Sequence, residues 1–301
     1  MRRAALGLVV LLVLAGCSGG DAPETPTVTP APVPTDSATP EPRGVSLDAT
    51  ATPTPQVPVE ELDPEGDPDG DGLTTEEELD RGLNPRRVDT DKDRLRDGEE
   101  LAGVTDEGTP IPDADPARMD LYVRVTYGPR AEPYTPIVRE RIVADWAAMP
   151  VRNPDGTTGI SLHIVGTHNT SLRFFDGSDL EETAAALDEE LPRNDAYHDV
   201  YLLPFVDVAR HAHDGFAATP GRIALVDSTA DSGNREVFFT HGLLHNVLGP
   251  LRGEGECQGV HYCEGGFLHP APSTGSGVAF DDDRYLPEPL ARVIERRGFR
   301  G

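Results

Sequence analysis

The chain has 301 residues and a formal net charge of −27, with 53 acidic residues against 26 Lys and Arg, and Lys92 is its only lysine. Binding to nucleic-acid phosphates needs a basic surface, so this composition excludes a nucleic-acid partner. The sequence has no Walker loop and no dinucleotide fingerprint, and its G-x-S-x-G, at Gly16–Gly20, lies outside any strand–turn–helix pattern. Nucleotide, redox and serine-hydrolase chemistry therefore have no support.

The N-terminus has the pattern of an export signal. Two arginines follow Met1, and an apolar run too short for a comfortable membrane span ends in Leu14-Ala15-Gly16-Cys17. This tetrad resembles the lipobox of prokaryotic lipoproteins. The resemblance implies removal of residues 1–16, lipidation of Cys17, and export to the cell surface with the lipid anchored in the outer face of the cytoplasmic membrane. An ordinary signal peptide with an incidental cysteine is the alternative.

Acidic residues are spread over every segment of the chain and do not form a single tail. High carboxylate density with little lysine resembles the proteins of salt-loving microbes such as haloarchaea, in which salt screens the repulsion between hydrated carboxylates. A merely acidic secreted protein is the alternative.

The cysteine count fits an exported protein. Three cysteines are an odd number, which is awkward outside the cytoplasm unless one is used otherwise. If Cys17 takes lipid, Cys257 and Cys263 remain, six residues apart, in a compartment that permits disulfides. We expect these two to pair and close a short loop.

Residues 17–62 are rich in Thr and Pro and have few large aliphatic side chains. Such a segment cannot bury enough apolar surface to offset its ordering entropy, and its prolines favour extended conformations. We predict a disordered N-terminal stalk that holds the rest of the chain away from the membrane.

Residues 63–107 contain two calcium-loop patterns of the form D-x-D-x-D-G-x5-E, spaced 22 residues apart. Alternating carboxylates can surround a hard cation with six to eight oxygens, and the Glu at loop position 12 can bind through both oxygens. The expected calcium ligands are Asp67, Asp69, Asp71 and Glu78 in the first loop, and Asp89, Asp91, Asp93, Asp97 and Glu100 in the second.

The period of 22 and the leucine at loop position 7 in both copies, Leu73 and Leu95, resemble thrombospondin type 3 calcium repeats more than paired EF-hands. That resemblance implies a small calcium module without long flanking helices. The second copy departs from the pattern at Arg94, which stands at loop position 6 where glycine would permit the sharp turn. We therefore expect its site to be the weaker one.

From residue 118 to residue 301 the sequence indicates one globular domain. Alternating and apolar runs predict strands at 118–127, 159–165, 198–208 and 222–228, and helical periodicity predicts helices at 136–149, 178–191, 235–249 and 287–297. This order predicts an α/β (α+β) fold in which helices pack on a mixed, twisted sheet.

The helix predicted at 235–249 contains His241 and His245, four residues apart and therefore on one helical face. Zinc proteases of the H-E-x-x-H type take two metal ligands from such a pair, and the Glu after the first His is the general base. The stretch "HNVLG" and the preceding strand–helix–strand order resemble the metzincin group of zincins. This resemblance implies a zincin-like fold and a third zinc ligand, for which His261 is the first candidate, His269 the second, and Glu254 or Glu256 the next.

Three departures bear on activity. Gly242 replaces the glutamate, Gly249 lies four residues after His245 where the family has three, and no methionine follows Met149. We therefore expect a calcium-binding surface lipoprotein with a metalloprotease-like domain that binds zinc, and a peptide or protein ligand, without efficient peptidase activity; its catalytic residues are unknown. The alternatives are a surface adhesion or scaffolding module and an active zinc protease with a displaced base.

Overall fold

A computed structural model describes residues 58–175, 194–206, 215–230, 232–251, 256–257, 260–269 and 284–300, together with residues 183, 185–187 and 189. The signal segment, Cys17, Glu254 and almost all of the stalk lie outside the described residues, as does most of the helix predicted at 178–191. In the part of the chain that the structure describes, no helix is long and apolar enough to cross a membrane. The predicted domain boundaries stay predictions.

The centre of the fold is a five-stranded sheet in the order β2-β1-β3-β5-β4. Neighbouring strands are parallel except that β4 runs antiparallel to β5 at the edge. The strands are β1 Asp120–Tyr127, β2 Ser161–Asn169, β3 Tyr197–Leu203, β4 Gly215–Ala217 and β5 Ile223–Asp227. The predicted mixed sheet is confirmed. The sequence analysis missed β4, because three residues are too few to show an alternating pattern.

Five helices and a small ribbon complete the described elements. The helices are α1 Thr75–Arg81, α2 Asp97–Ala102, α3 Pro136–Ala147, α4 Ser232–Leu248 and α5 Glu288–Arg297, and a 3-10 turn spans Val59–Glu61. The ribbon pairs β6 Glu256–Cys257 with β7 His261–Tyr262 in antiparallel fashion. The three predicted helices that lie within the described ranges are confirmed to within three residues at each end.

The core lies between the sheet and helices α3 and α4. Every residue from 235 to 249 is buried, so α4 is apolar on most of its circumference and is covered on all sides. Trp146 on α3 and Phe239 on α4 are fully buried beside the apolar side chains of β1. The helix that contains the two histidines is therefore held by packing along its whole length.

The two loops with the calcium pattern precede the sheet in sequence, and the second contacts the domain directly. The Nζ of Lys92 donates a hydrogen bond of 2.7 Å to the carbonyl of Glu295 at the end of α5. The amide of Phe299 donates to the carbonyl of Lys92 at 2.9 Å, and the amide of Arg300 donates to that of Val247 at 2.8 Å. The residues after α5 are therefore fixed between the second loop and the end of α4.

Candidate metal centres

The two histidines of α4 project from one face of the helix, as their spacing predicts. His241 is 8% exposed and His245 is 2% exposed. Their Nε2 atoms face each other at 2.9 Å. Two imidazole nitrogens this close can share a metal ion.

The third predicted ligand, His261, joins this pair from strand β7. It is 1% exposed, and its ring centroid lies 5.3 Å from that of His241 and 5.0 Å from that of His245. One ring nitrogen from each of the three lies within 4.8 Å of the others. The structure thus brings together the three residues ranked first in the sequence analysis. We refer to them as the histidine cluster.

The other candidate ligands are placed differently. His269 is half-buried and is not part of the histidine cluster. Glu256 lies in β6, opposite Tyr262 of β7. The ribbon also contains Cys257, which pairs in register with His261, and Cys263 directly follows β7. The disulfide between these cysteines stays a prediction.

A backbone group fixes the orientation of His241. Its Nδ1 donates a hydrogen bond of 2.7 Å to the carbonyl of Phe267, so the lone pair remains on Nε2, the nitrogen that faces His245. A hydrogen bond from the ring nitrogen that does not bind the metal selects the tautomer of metal-binding histidines. The sequence analysis missed Phe267, because a backbone carbonyl leaves no signal in the residue type.

Burial keeps His241 and His245 uncharged. Desolvation lowers the pKa of His241 to about 4, although the Phe267 carbonyl acts in the opposite direction. It lowers the pKa of His245 well below its usual value, and the neighbouring His241 and His261 add to this effect. Neutral imidazole is the form that binds zinc, so His241 and His245 are in their metal-binding form at neutral pH.

Gly242, which occupies the position of the missing glutamate, faces the sheet. A Cβ at this position would lie 2.7 Å from the Cβ of Ala224 in β5 and 3.8 Å from the Cβ of Ala217 in β4. A contact of 2.7 Å between two methyl-type carbons is a clash, and neither group can rotate away. Glycine therefore permits the close approach of α4 to the sheet, and a glutamate does not fit without moving the helix.

No carboxylate belongs to the histidine cluster among the residues that the structure describes. The buried carboxylate on α4, Glu236, accepts hydrogen bonds from Arg141 at 3.0 Å and from Arg284 at 3.2 Å. These ion pairs occupy it, so it does not replace the missing general base.

The two acidic loops repeat the same backbone in detail. In the first, Asp67 accepts hydrogen bonds from the amides of residues 70 and 72, and Asp71 accepts from that of residue 73. In the second, Asp89 accepts from the amides of residues 92 and 94, and Asp93 accepts from that of residue 95. The loops are therefore structural copies, as their spacing predicts.

The departure at loop position 6 does not change this geometry. Gly72 has a φ of 97°, and Arg94 has the same left-handed conformation with a φ of 86°. A non-glycine residue in this conformation costs about 1–2 kcal/mol. Arg94 is thus strained, but the loop keeps its shape. The prediction that its site is weaker is untested.

The predicted calcium ligands form four groups of carboxylates whose oxygens lie within 4.8 Å of one another. These groups are Asp67, Asp69 and Asp71; Asp71, Glu78 and Asp97; Asp89, Asp91 and Asp93; and Asp93, Glu100 and Asp120. Asp97, expected in the second loop, is grouped with residues of the first, and its carboxylate also accepts two hydrogen bonds from Thr90. Asp120 was missed by the sequence analysis, since it lies on β1, well beyond the loop pattern.

Burial and mutual repulsion make the carboxylates of Glu78 and Glu100 hard to ionise without a cation. Desolvation and the neighbouring aspartates raise the pKa of Glu78 to about 8 and that of Glu100 to about 12. Among the described residues, neither oxygen of either side chain has a hydrogen-bond partner. A buried carboxylate with no donor is costly, so the groups require a positive charge or protons.

No protein-family model and no curated protein matches this sequence. Among solved structures, the chain is similar to archaemetzincin from Methanopyrus kandleri, with a TM-score of 0.37 and 13% sequence identity. The similar region covers 60% of this chain and 96% of that one.

A substitution at Gly242 tests the close contact between this residue and Ala224. Gly242→Ala should lower the free energy of unfolding by about 1–3 kcal/mol, because overpacking exceeds the gain in helix propensity. The double variant that combines Gly242→Ala with Ala224→Gly restores the space. Urea denaturation should show that it recovers most of the lost free energy of unfolding. Equal effects of Gly242→Ala in the presence and absence of Ala224→Gly would contradict the contact.

Proposed function

We propose that the α/β domain is a zinc-binding, metalloprotease-like domain that has lost efficient peptidase activity. The main support is the histidine cluster, in which three buried imidazoles present nitrogens within 4.8 Å of one another. Nitrogen ligands in this number favour zinc over calcium or magnesium, which prefer oxygen.

The spacing of the nitrogens also fits a zinc ion. Two ligands at about 2.0–2.1 Å from a tetrahedral metal are about 3.3 Å apart. The Nε2 atoms of His241 and His245 are 2.9 Å apart, so a small opening of the pair would admit the ion. A bound zinc ion would supply a cross-link between α4 and the β6–β7 ribbon.

Loss of peptidase activity follows from Gly242. The general base is absent, and removal of such a base typically lowers the rate by about 10²–10⁴-fold. The site cannot regain the base by a simple substitution, because position 242 points at Ala224 and Ala217. Among the residues that the structure describes, the domain has three histidines placed as zinc ligands and no carboxylate grouped with them to take a proton from water.

Metal analysis of the purified full-length protein tests this proposal. We expect about one zinc per chain, lost in His245→Ala and retained in the control His269→Ala. Zinc-free, folded wild-type protein would favour the surface adhesion or scaffolding module, in which the histidines only pack. Peptidase activity that depends on His245 would instead identify an active protease with a displaced base.

We propose that the two acidic loops bind calcium. Support comes from their matching backbone geometry and from the buried oxygens of Glu78 and Glu100, which have no donor among the described residues. Carboxylate oxygens in this number suit calcium, and the ion would offset the repulsion that raises the pKa of these groups.

Thermal unfolding with calcium and with a chelator tests this second proposal. Saturating calcium should raise the melting temperature by roughly 5–10 °C for each occupied site, since a site occupied at 100 times its Kd adds about 2.7 kcal/mol. Glu78→Gln should reduce the rise, while the exposed neighbour Glu76→Gln should not. An unchanged melting temperature after chelation would contradict calcium binding.

We propose, from the lipobox-like tetrad, that the protein is exported and held at the cell surface by a lipid on Cys17, with the stalk as a spacer between the membrane and the rest of the chain. The acidic composition suits a saline exterior. Cys17→Ser should move the protein from the detergent-extracted membrane fraction to the soluble fraction in its native host. Persistence of the variant in the membrane fraction would contradict the anchor.

A further inference from the structure

The second acidic loop shares its site with the first strand of the sheet. The backbone amide of Asp120, the first residue of β1, donates a hydrogen bond of 2.7 Å to Oδ2 of Asp93. Beside this contact, Leu95 of the loop and Tyr122 of β1 pack together with Ile111 in a buried apolar cluster. The loop and the strand therefore meet in a close, buried interface.

The carboxylate of Asp120 is directed into the group formed by Asp93 and Glu100. Its oxygens approach theirs within 4.8 Å, and the residue is 3% exposed. Oδ2 accepts a hydrogen bond of 2.9 Å from the amide of Asp115, and Oδ1 contacts Nε2 of His163. These contacts hold the carboxylate in place, and each oxygen keeps a lone pair for a further partner.

Glu100 gives independent support for a ligand at this place. Its side chain is 2% exposed, and neither carboxylate oxygen has a hydrogen-bond partner among the described residues. Oδ2 of Asp91, in the same loop, is buried without a partner as well. The carboxylates of Asp93, Glu100 and Asp120 converge here, and no donor offsets the charge on Glu100 among the described residues. Three buried carboxylates in this arrangement repel one another strongly unless a cation lies among them.

We propose that Asp120 is a calcium ligand of the second loop, so that one ion joins the acidic loops to the central sheet. This inference rests on the proposed calcium binding of the loops. The site would draw on Asp89, Asp91, Asp93 and Glu100 from the loop and α2, and on Asp120 from β1. Calcium takes six to eight oxygen ligands. Five carboxylates can provide most of them, and a backbone carbonyl or water would complete the shell.

The two loops then differ in what their ions stabilise. In the first, the group that includes Glu78 is completed by Asp97 of α2, a residue of the acidic segment itself. In the second, the group is completed by a residue of the sheet. An ion in the first loop stabilises the acidic segment alone, whereas an ion in the second also stabilises the attachment of that segment to β1.

Calorimetric titration of the chelator-treated full-length protein with calcium tests the assignment. Asp120→Asn keeps the shape of the side chain and should lower the affinity for one ion by more than tenfold, leaving the other unchanged. Asp113→Asn is the matched control, because Asp113 is exposed and its left-handed φ of 61° is one that asparagine tolerates. Glu78→Gln should weaken the other ion and leave the Asp120 site unaffected.

The results of the titration distinguish calcium binding by the loops from the role of Asp120 as a ligand. Wild-type protein that binds no calcium overturns both the calcium function and the role of Asp120. Calcium binding that is the same in wild type and Asp120→Asn overturns the role of Asp120 alone.

Hydrogen exchange on the unmodified protein gives a second measurement that does not depend on the folding of a variant. Calcium should slow exchange both in residues 89–100 and in residues 113–122. Slowing confined to residues 67–100 would overturn the shared site.

Discussion

The rest of the site depends on how closely helix α4 approaches the sheet. Gly242 and Ala224 allow a separation that a larger side chain would prevent. Asn246, one turn further along, fixes the same face by donating to the carbonyls of Ala218 and Ile223 at 2.7 and 3.1 Å. With one face tied to the sheet, the neighbouring face of the helix directs His241 and His245 toward the ribbon. The placement of the histidine cluster is thus a consequence of helix–sheet packing.

The two candidate metal sites lie in different parts of the chain and offer different types of ligand atom. The acidic loops offer only oxygen, and the histidine cluster offers only nitrogen. Hard cations prefer the first set and zinc prefers the second, so each proposed site would select its ion without a specific barrier against the other. In a chain with a net charge of −27, the bound cations would also reduce the repulsion within the folded state.

Local pattern was enough to predict four of the five strands of the sheet, helices α3, α4 and α5, and the residues of the histidine cluster. The last were predictable because His241 and His245 share a helical face and His261 lies in a short loop between cysteines. Contacts that depend on how separate elements pack against one another could not be predicted from the sequence. Asp120 joins Glu100 only because β1 runs beside the second loop, and Asp97 turns toward the first loop because Thr90 binds its carboxylate. Gly242 was interpreted as a lost base, whereas its packing role depends on Ala224, a residue on another element.

The hydrogen bonds of Lys92 with Glu295 and Phe299 join positions about 200 residues apart. The second loop therefore cannot reach its final surroundings until the ribosome has made the chain through residue 299. These contacts close a very long loop of chain, and the entropy of that closure must be offset before the contacts stabilise the fold. The attachment of the second loop to the residues after α5 is therefore expected to form late in folding.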